Sequence, residues 1–275
     1  MLVVAAVTSV QFGGALAKTL FDEVGPGGAV FMRMLFAALV LTAIWRPRFT
    51  GHSRRDLLLI VIYGLTLAGM NATFYASLER IPLGIAVTFE FVGPLGVAIF
   101  GSRRPRDLLW VALAAAGIIL LSDFGGADLD GLGVALALIA GGFWAAYILI
   151  AARVGQVFPG GSGLALAMMI AVVPLIPLGI ADGGSELLVG WVLAAGFAVA
   201  MLSSAIPYTL ELEALRRLPA GVFGVLMSLE PAVAATAGFI VLGEDLQPRE
   251  IVAILLVVAA SAGAARGANL APRDA

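Results

Sequence analysis

The chain has 275 residues, 61% of them hydrophobic and 12% charged, with a formal net charge of -2. Soluble domains carry roughly 25% charged residues, so this composition excludes an ordinary water-soluble globule. The absence of cysteine and a single histidine, His52, exclude disulfides, thiolate metal sites and histidine clusters.

Apolar runs of about 17 to 25 residues, the length that crosses a hydrocarbon core of about 30 Å, are separated by short groups of charged and turn-forming residues. In chain order they predict ten helical spans, at 3–20, 27–45, 57–78, 82–100, 107–122, 131–151, 162–181, 188–211, 219–241 and 250–266. The connectors carry turn residues, as in Asp22-Glu23-Val24-Gly25-Pro26-Gly27 and Arg103-Arg104-Pro105-Arg106. None of them is long enough for a soluble domain. No cleavable signal peptide is expected, because the first apolar run opens at Leu2 without a basic leader. The expected fold class is an all-α polytopic membrane protein.

The arginines set the expected topology. With a cytoplasmic amino terminus the inner side receives Arg46, Arg48, Arg54, Arg55, Arg103, Arg104, Arg106, Arg153, Arg216, Arg217, Arg266 and Arg273, and the outer side only Arg80 and Arg249. Cytoplasmic loops of membrane proteins are enriched in Lys and Arg, so both termini are expected inside. An odd number of spans per half inverts the second half, which predicts two inverted five-helix repeats, residues 1–124 and 125–275. That is the architecture of many secondary transporters, with the substrate site between the halves.

The duplication is visible in residues. Arg80-Ile81-Pro82-Leu83-Gly84 recurs as Arg217-Leu218-Pro219-Ala220-Gly221, and Pro94 matches Pro231. Each copy places a glutamate before the proline: Glu90 four residues before Pro94, and Glu230 directly before Pro231. A carboxylate in lipid costs several kcal/mol unless compensated, and each proline breaks the helical ladder beside it. At about 1.5 Å per residue, Glu230 lies about 17 Å from the inner end of its span and Glu90 about 12 Å from the outer end, which puts them at similar heights.

These residues also carry a family resemblance. Phe223 to Glu244 is similar to the last repeat of EamA-type members of the drug/metabolite transporter superfamily. Pro82-Leu83-Gly84-Ile85-Ala86-Val87-Thr88-Phe89-Glu90-Phe91-Val92-Gly93-Pro94 resembles more narrowly the bacterial threonine and homoserine exporters, as do Gly14 to Phe21 and Pro207 to Glu211. The four-residue spacing of Glu90 from its proline departs from the common EamA pattern and is similar to the narrower group. The resemblance implies ten helices, cytoplasmic termini, and export of small amino acids from a bacterial inner membrane. The cargo is alternatively another amino acid, another metabolite or a drug-like cation. A passive channel or a membrane enzyme is the competing class, and no reactive constellation for an enzyme is present.

The candidate substrate or proton pathway comprises Glu90, Glu230, Asn71, Tyr75, Trp144, Tyr147, Lys18 and Arg33, with helix breaks at Pro94 and Pro231. Either glutamate is placed to bind a substrate ammonium group or to carry a proton; the alternative is a structural carboxyl bonding backbone groups that the prolines free. Lys18 and Arg33 hold a substrate carboxylate or neutralise Glu90, or else snorkel to the interface. Asn71 with Tyr75, and Trp144 with Tyr147, share helical faces and line a cavity or pack between helices. Glu211 and Glu213 beside Arg216 and Arg217 are expected to form an interfacial ion-pair cluster, with a cytoplasmic gate as the alternative.

No metal, cofactor or nucleic acid is called for, and no glycine-rich loop ending in lysine is present for ATP. The expected partners are the lipid bilayer, protons and a small amino acid. Alanine- and glycine-rich surfaces permit an oligomer without requiring one.

Overall fold

The computed structural model describes residues 1–48, 50–81, 83–101, 105–121, 130–230, 233 and 248–269. Pro231, Arg103 and Arg104 lie outside the described residues. The described residues are helical throughout their regular structure, which comprises α1 (Leu2–Trp45), α2 (Arg54–Leu78), α3 (Leu83–Glu90), α4 (Val92–Gly101), α5 (Pro105–Leu121), α6 (Gly131–Val157), α7 (Ser162–Gly183), α8 (Gly190–Ala200), α9 (Ile206–Leu215), α10 (Ala220–Met227) and α11 (Pro248–Asn269). A short 3-10 turn, Gly184–Leu188, follows α7, and a π turn, Met201–Ala205, joins α8 to α9.

The first two expected spans form one helical element with a break. Gly25 leaves helical geometry at φ 64°, a conformation open to glycine, and Pro26 then starts the second stretch with a ring that fits a first helical turn. The Gly27 N–H at that new start donates to the Asp182 carboxylate of α7 at 2.8 Å, so a distant side chain supplies the cap. The span expected at 82–100 is likewise broken into α3 and α4 around Phe91. Polar caps start two further helices. Ser53 and Asp56 form a reciprocal capping box on α2, and Asp130 Oδ1 accepts from the amides of Leu132 and Gly133 to open α6.

Among the described residues, five stretches are long and apolar enough to cross a membrane: Leu20–Trp45, Arg54–Leu78, Gly131–Val157, Ser162–Leu188 and Gly190–Leu215. Shorter apolar helical stretches lie at Leu2–Gly14, Val92–Gly101, Leu108–Leu120 and Ile251–Ala260. Large apolar side chains cover the outside, among them Leu58, Phe100, Ile180 and Leu255. A surface so apolar is matched to lipid rather than water.

Packing interleaves the two halves of the chain. α1 packs on α7, α8, the π turn and α9, while α2 packs on α6 and α7. α4 packs on α6 and α10, and α5 packs on α11. Small residues let the backbones close up: a Cβ added at Gly224 of α10 would lie 2.5 Å from the Pro94 carbonyl oxygen of α4. The broken elements of the two halves therefore meet near the centre.

Candidate functional site

Pro207 has no backbone N–H. Its missing donor would serve Ser203 O in an α register or Leu202 O in a π register, and the chain makes its π turn at this point. Side chains of α1 take both carbonyls. Ser9 Oγ donates to Leu202 O at 2.7 Å, and Arg33 Nη2 donates to Ser203 O at 2.6 Å.

That bond anchors the guanidinium. Arg33 Nε donates to Ser204 Oγ at 2.7 Å, while Nη1 reaches the Tyr75 hydroxyl and Nη2 the Tyr208 hydroxyl, each at 3.3 Å. Arg33 Cζ also lies 5.9 Å from both tyrosine ring centroids, within cation–π range. A buried charge is tolerated when its donors are matched in this way. The expected pairing of Arg33 therefore runs through hydroxyls and a carbonyl.

Asn71 and Tyr75 meet the same cluster from α2. Asn71 Nδ2 donates to the Tyr208 hydroxyl at 3.2 Å and to Leu67 O at 2.9 Å. From α6, the Tyr147 hydroxyl donates to Glu211 Oε2 at 2.7 Å, and its ring lies 5.5 Å from that of Tyr208 and 5.9 Å from that of Tyr63. Trp144 packs edge-on against Phe91 at 5.1 Å, so it borders the break between α3 and α4.

Glu90 ends α3. Pro94 withdraws the amide that would bond the Glu90 carbonyl, and α6 approaches that carbonyl through glycine. A Cβ on Gly141 would lie 2.6 Å from Glu90 O, and one on Gly93 would run into the Gly141 carbonyl. The Glu90 side chain is buried, at 9% exposure, and close enough to Arg33 for their charges to interact. Glu230 interacts electrostatically with Glu90, Glu211 and Arg33. Neither Glu90 nor Glu230 has a side-chain hydrogen bond or ion pair among the described residues, so a structural bond from Glu90 to the backbone freed by Pro94 is not formed.

One expectation needs correcting. Glu213 pairs with Arg216 and Arg217, and Arg216 also donates to the carbonyls of Gly155, Phe158 and Gly160. Glu211 takes no part in that ion-pair cluster. At about 100° per residue, two residues separate the glutamates by about 200° around the helix, so Glu211 turns into the protein and is 2% exposed.

Tyr208, Ser203 and Ser204 were not singled out as site residues in the sequence, although Pro207 inside an apolar span marks the place. Lys18 lies in α1 with its side chain outside the described structure, and Pro231 is outside it entirely. Among the described residues no group of three or more His, Cys, Asp or Glu is placed to hold a metal ion.

The EamA-like transporter family matches residues 1–123 and again residues 131–266. This chain belongs to that family. It is 45% identical over 268 residues to the threonine/homoserine exporter RhtA of Salmonella typhimurium, covering 96% of this chain and 90% of the relative. The same figures hold for the threonine/homoserine exporter RhtA of Escherichia coli K12. A solved crystal structure superposes with a TM-score of 0.81 at 18% identity, covering 98% of this chain and 96% of its own, which supports the fold.

In this EamA-family protein both matched segments build the polar centre. Arg33, Asn71, Tyr75 and Glu90 lie in the first, and Tyr147, Ser204, Tyr208, Glu211 and Glu230 in the second.

Proposed function

We propose that this protein is a secondary exporter of threonine and homoserine, driven by proton entry in a bacterial inner membrane. Ten spans in two inverted repeats, residues 1–124 and 125–275, hold the site between them, and both termini face the cytoplasm. The observation that carries this reading is the juxtaposition of Arg33 with Glu90 and Glu230 at a centre built by both matched segments. A small amino acid is a zwitterion and needs a cation for its carboxylate and an anion for its ammonium group. Arg33 answers the first need, and the carboxyls of Glu90 and Glu230 answer the second. The names of the 45% identical relatives narrow the zwitterion to threonine and homoserine.

Within the site the Arg33 contacts to Tyr75 and Tyr208, at 3.3 Å, are the longest and the first that a substrate carboxylate would displace. Asn71 is placed to bond the same carboxylate, and Trp144 with Phe91 forms an apolar wall beside Glu90. Rocking one half against the other would expose the centre to each side in turn.

The test is movement of radiolabelled threonine and homoserine in proteoliposomes, with and without an imposed pH gradient. Saturable movement accelerated by the gradient is expected. No saturable movement of either solute by folded protein would defeat the substrate assignment, and normal export by both Glu90→Gln and Glu230→Gln would defeat their roles.

A further inference from the structure

We infer that Glu211, at the edge of the polar centre and not hydrogen-bonded to Arg33 among the described residues, is a proton-carrying carboxyl, with Tyr147 as its hydrogen-bonding partner. This rests on the proton-driven reading above. The carboxyl is 2% exposed and accepts one hydrogen bond, from the Tyr147 hydroxyl at 2.7 Å. A carboxylate buried for structural reasons is matched by an ion pair or by several donors. Glu211 has neither. The arginines nearest in sequence are committed elsewhere, Arg217 to Glu213 and Arg216 to Glu213 and three backbone carbonyls. Arg33 is near enough for its charge to be felt, but four of its five N–H donors go to Ser204, Ser203 O, Tyr75 and Tyr208, and among the described residues none bonds Glu211.

The surroundings suit a group that changes charge. The titratable groups that face Glu211 are Tyr147 of α6, Tyr63 of α2, Tyr208 of α9, Arg33 of α1 and Glu230 beyond α10. The Tyr63 hydroxyl is buried, and its ring stacks on that of Tyr147. Tyr208 stands between Glu211 and the guanidinium, since its ring lies against Tyr147 while its hydroxyl accepts from Arg33 and Asn71. The proton step is simple. An O–H bond forms at one Glu211 oxygen with a proton taken from outside, and Tyr147 keeps its bond to the other oxygen. The same O–H bond breaks when the proton is released to the cytoplasm, and the carboxylate returns to its starting charge.

The experiment loads proteoliposomes with a pH-sensitive dye and measures, in one preparation, the protons that move for each labelled threonine. Glu211→Gln keeps the size of the side chain and an oxygen for Tyr147 but cannot carry the proton. The proton-to-threonine ratio is expected to fall about tenfold or more in Glu211→Gln and to recover in Glu211→Asp. Tyr147→Phe supplies a second readout and is expected to lower the ratio by about threefold or more. A wild-type ratio in Glu211→Gln, or in Tyr147→Phe where the first variant does not fold, overturns the inference and leaves the exporter standing. Loss of threonine binding in Glu211→Gln also overturns it, by placing Glu211 in the substrate site. Wild-type protein that moves threonine without protons defeats the proton coupling proposed above and this inference with it.

Discussion

Gly141 and Gly142 are adjacent in α6, and replacing each by alanine separates packing from helix propensity. Alanine is favoured over glycine inside a helix by about 1 kcal/mol, and both substitutions gain this. At Gly142 an added Cβ meets nothing within 4 Å. At Gly141 it would lie 2.6 Å from the Glu90 carbonyl oxygen and 3.2 Å from the carbonyl carbon. Ordinary contact begins near 3.4 Å, so α6 would have to retreat by about 0.8 Å. Both groups are backbone, so no side-chain rotation can relieve the clash. Overpacking of this kind costs about 1–3 kcal/mol, which offsets or exceeds the propensity gain. Gly142→Ala is therefore expected to melt above Gly141→Ala by several degrees, at about 2–4 °C per kcal/mol for a chain of this size. Thermal unfolding of the two purified proteins in one detergent measures this. Equal melting temperatures, or a higher one for Gly141→Ala, would refute the close approach of α6 to the break between α3 and α4. A retreat of α6 also carries Trp144 away from Phe91, so threonine transport is expected to fall in Gly141→Ala alone.

Arg33→Lys keeps the charge but cannot bond Ser204, the Ser203 carbonyl and two tyrosine hydroxyls at once, and each buried polar group left unpaired costs about 1–3 kcal/mol. Threonine uptake should fall at least about tenfold, and uptake at the wild-type rate would count against the site. Pro207→Ala restores an N–H that competes with Ser9 and Arg33 for the carbonyls of Leu202 and Ser203. Transport should drop while the melting temperature holds or rises; a drop in melting temperature with intact transport would refute this account of the π turn.

Asp130 gives the pH-dependent case. Hydrogen bonds from the Gly133 amide above all, then from Leu132 and Arg80, hold its carboxyl below the usual aspartate range. Its stabilising contribution is therefore present above the ordinary value of about 3.9 and is lost as pH falls through the lower folded value. The stability gap between wild type and Asp130→Asn should be constant from neutral pH down to about 5 and close below it. A gap that widened with acid would refute the sign.

Much of the site was legible because polar residues are costly in an apolar span and therefore stand out. Arg33, Asn71, Tyr75, Glu90 and Tyr147 all interrupt such runs, and all reach the same centre. Glu211 was misread for a geometric reason. It lies two residues from Glu213 and five from Arg216, and neighbourhood in sequence suggested one cluster, whereas helix rotation sends the two glutamates to different faces. Tyr208 and the serines of the π turn were hidden because a hydroxyl inside an apolar run costs little and carries no periodic signal.

By itself the sequence determined what the solvent enforces. Apolar runs of membrane-crossing length demand helices, since backbone groups in lipid must be satisfied within their own segment, and Gly25 and Pro94 mark where those helices break. Only the tertiary structure decided which polar groups meet. Arg33 and Ser204 are 171 residues apart, as are no partners that a local pattern can register. Their pairing arises because a buried polar group is costly without a partner, and glycine at contacts such as Gly93 with Gly141 lets helices distant in sequence come close enough to provide one.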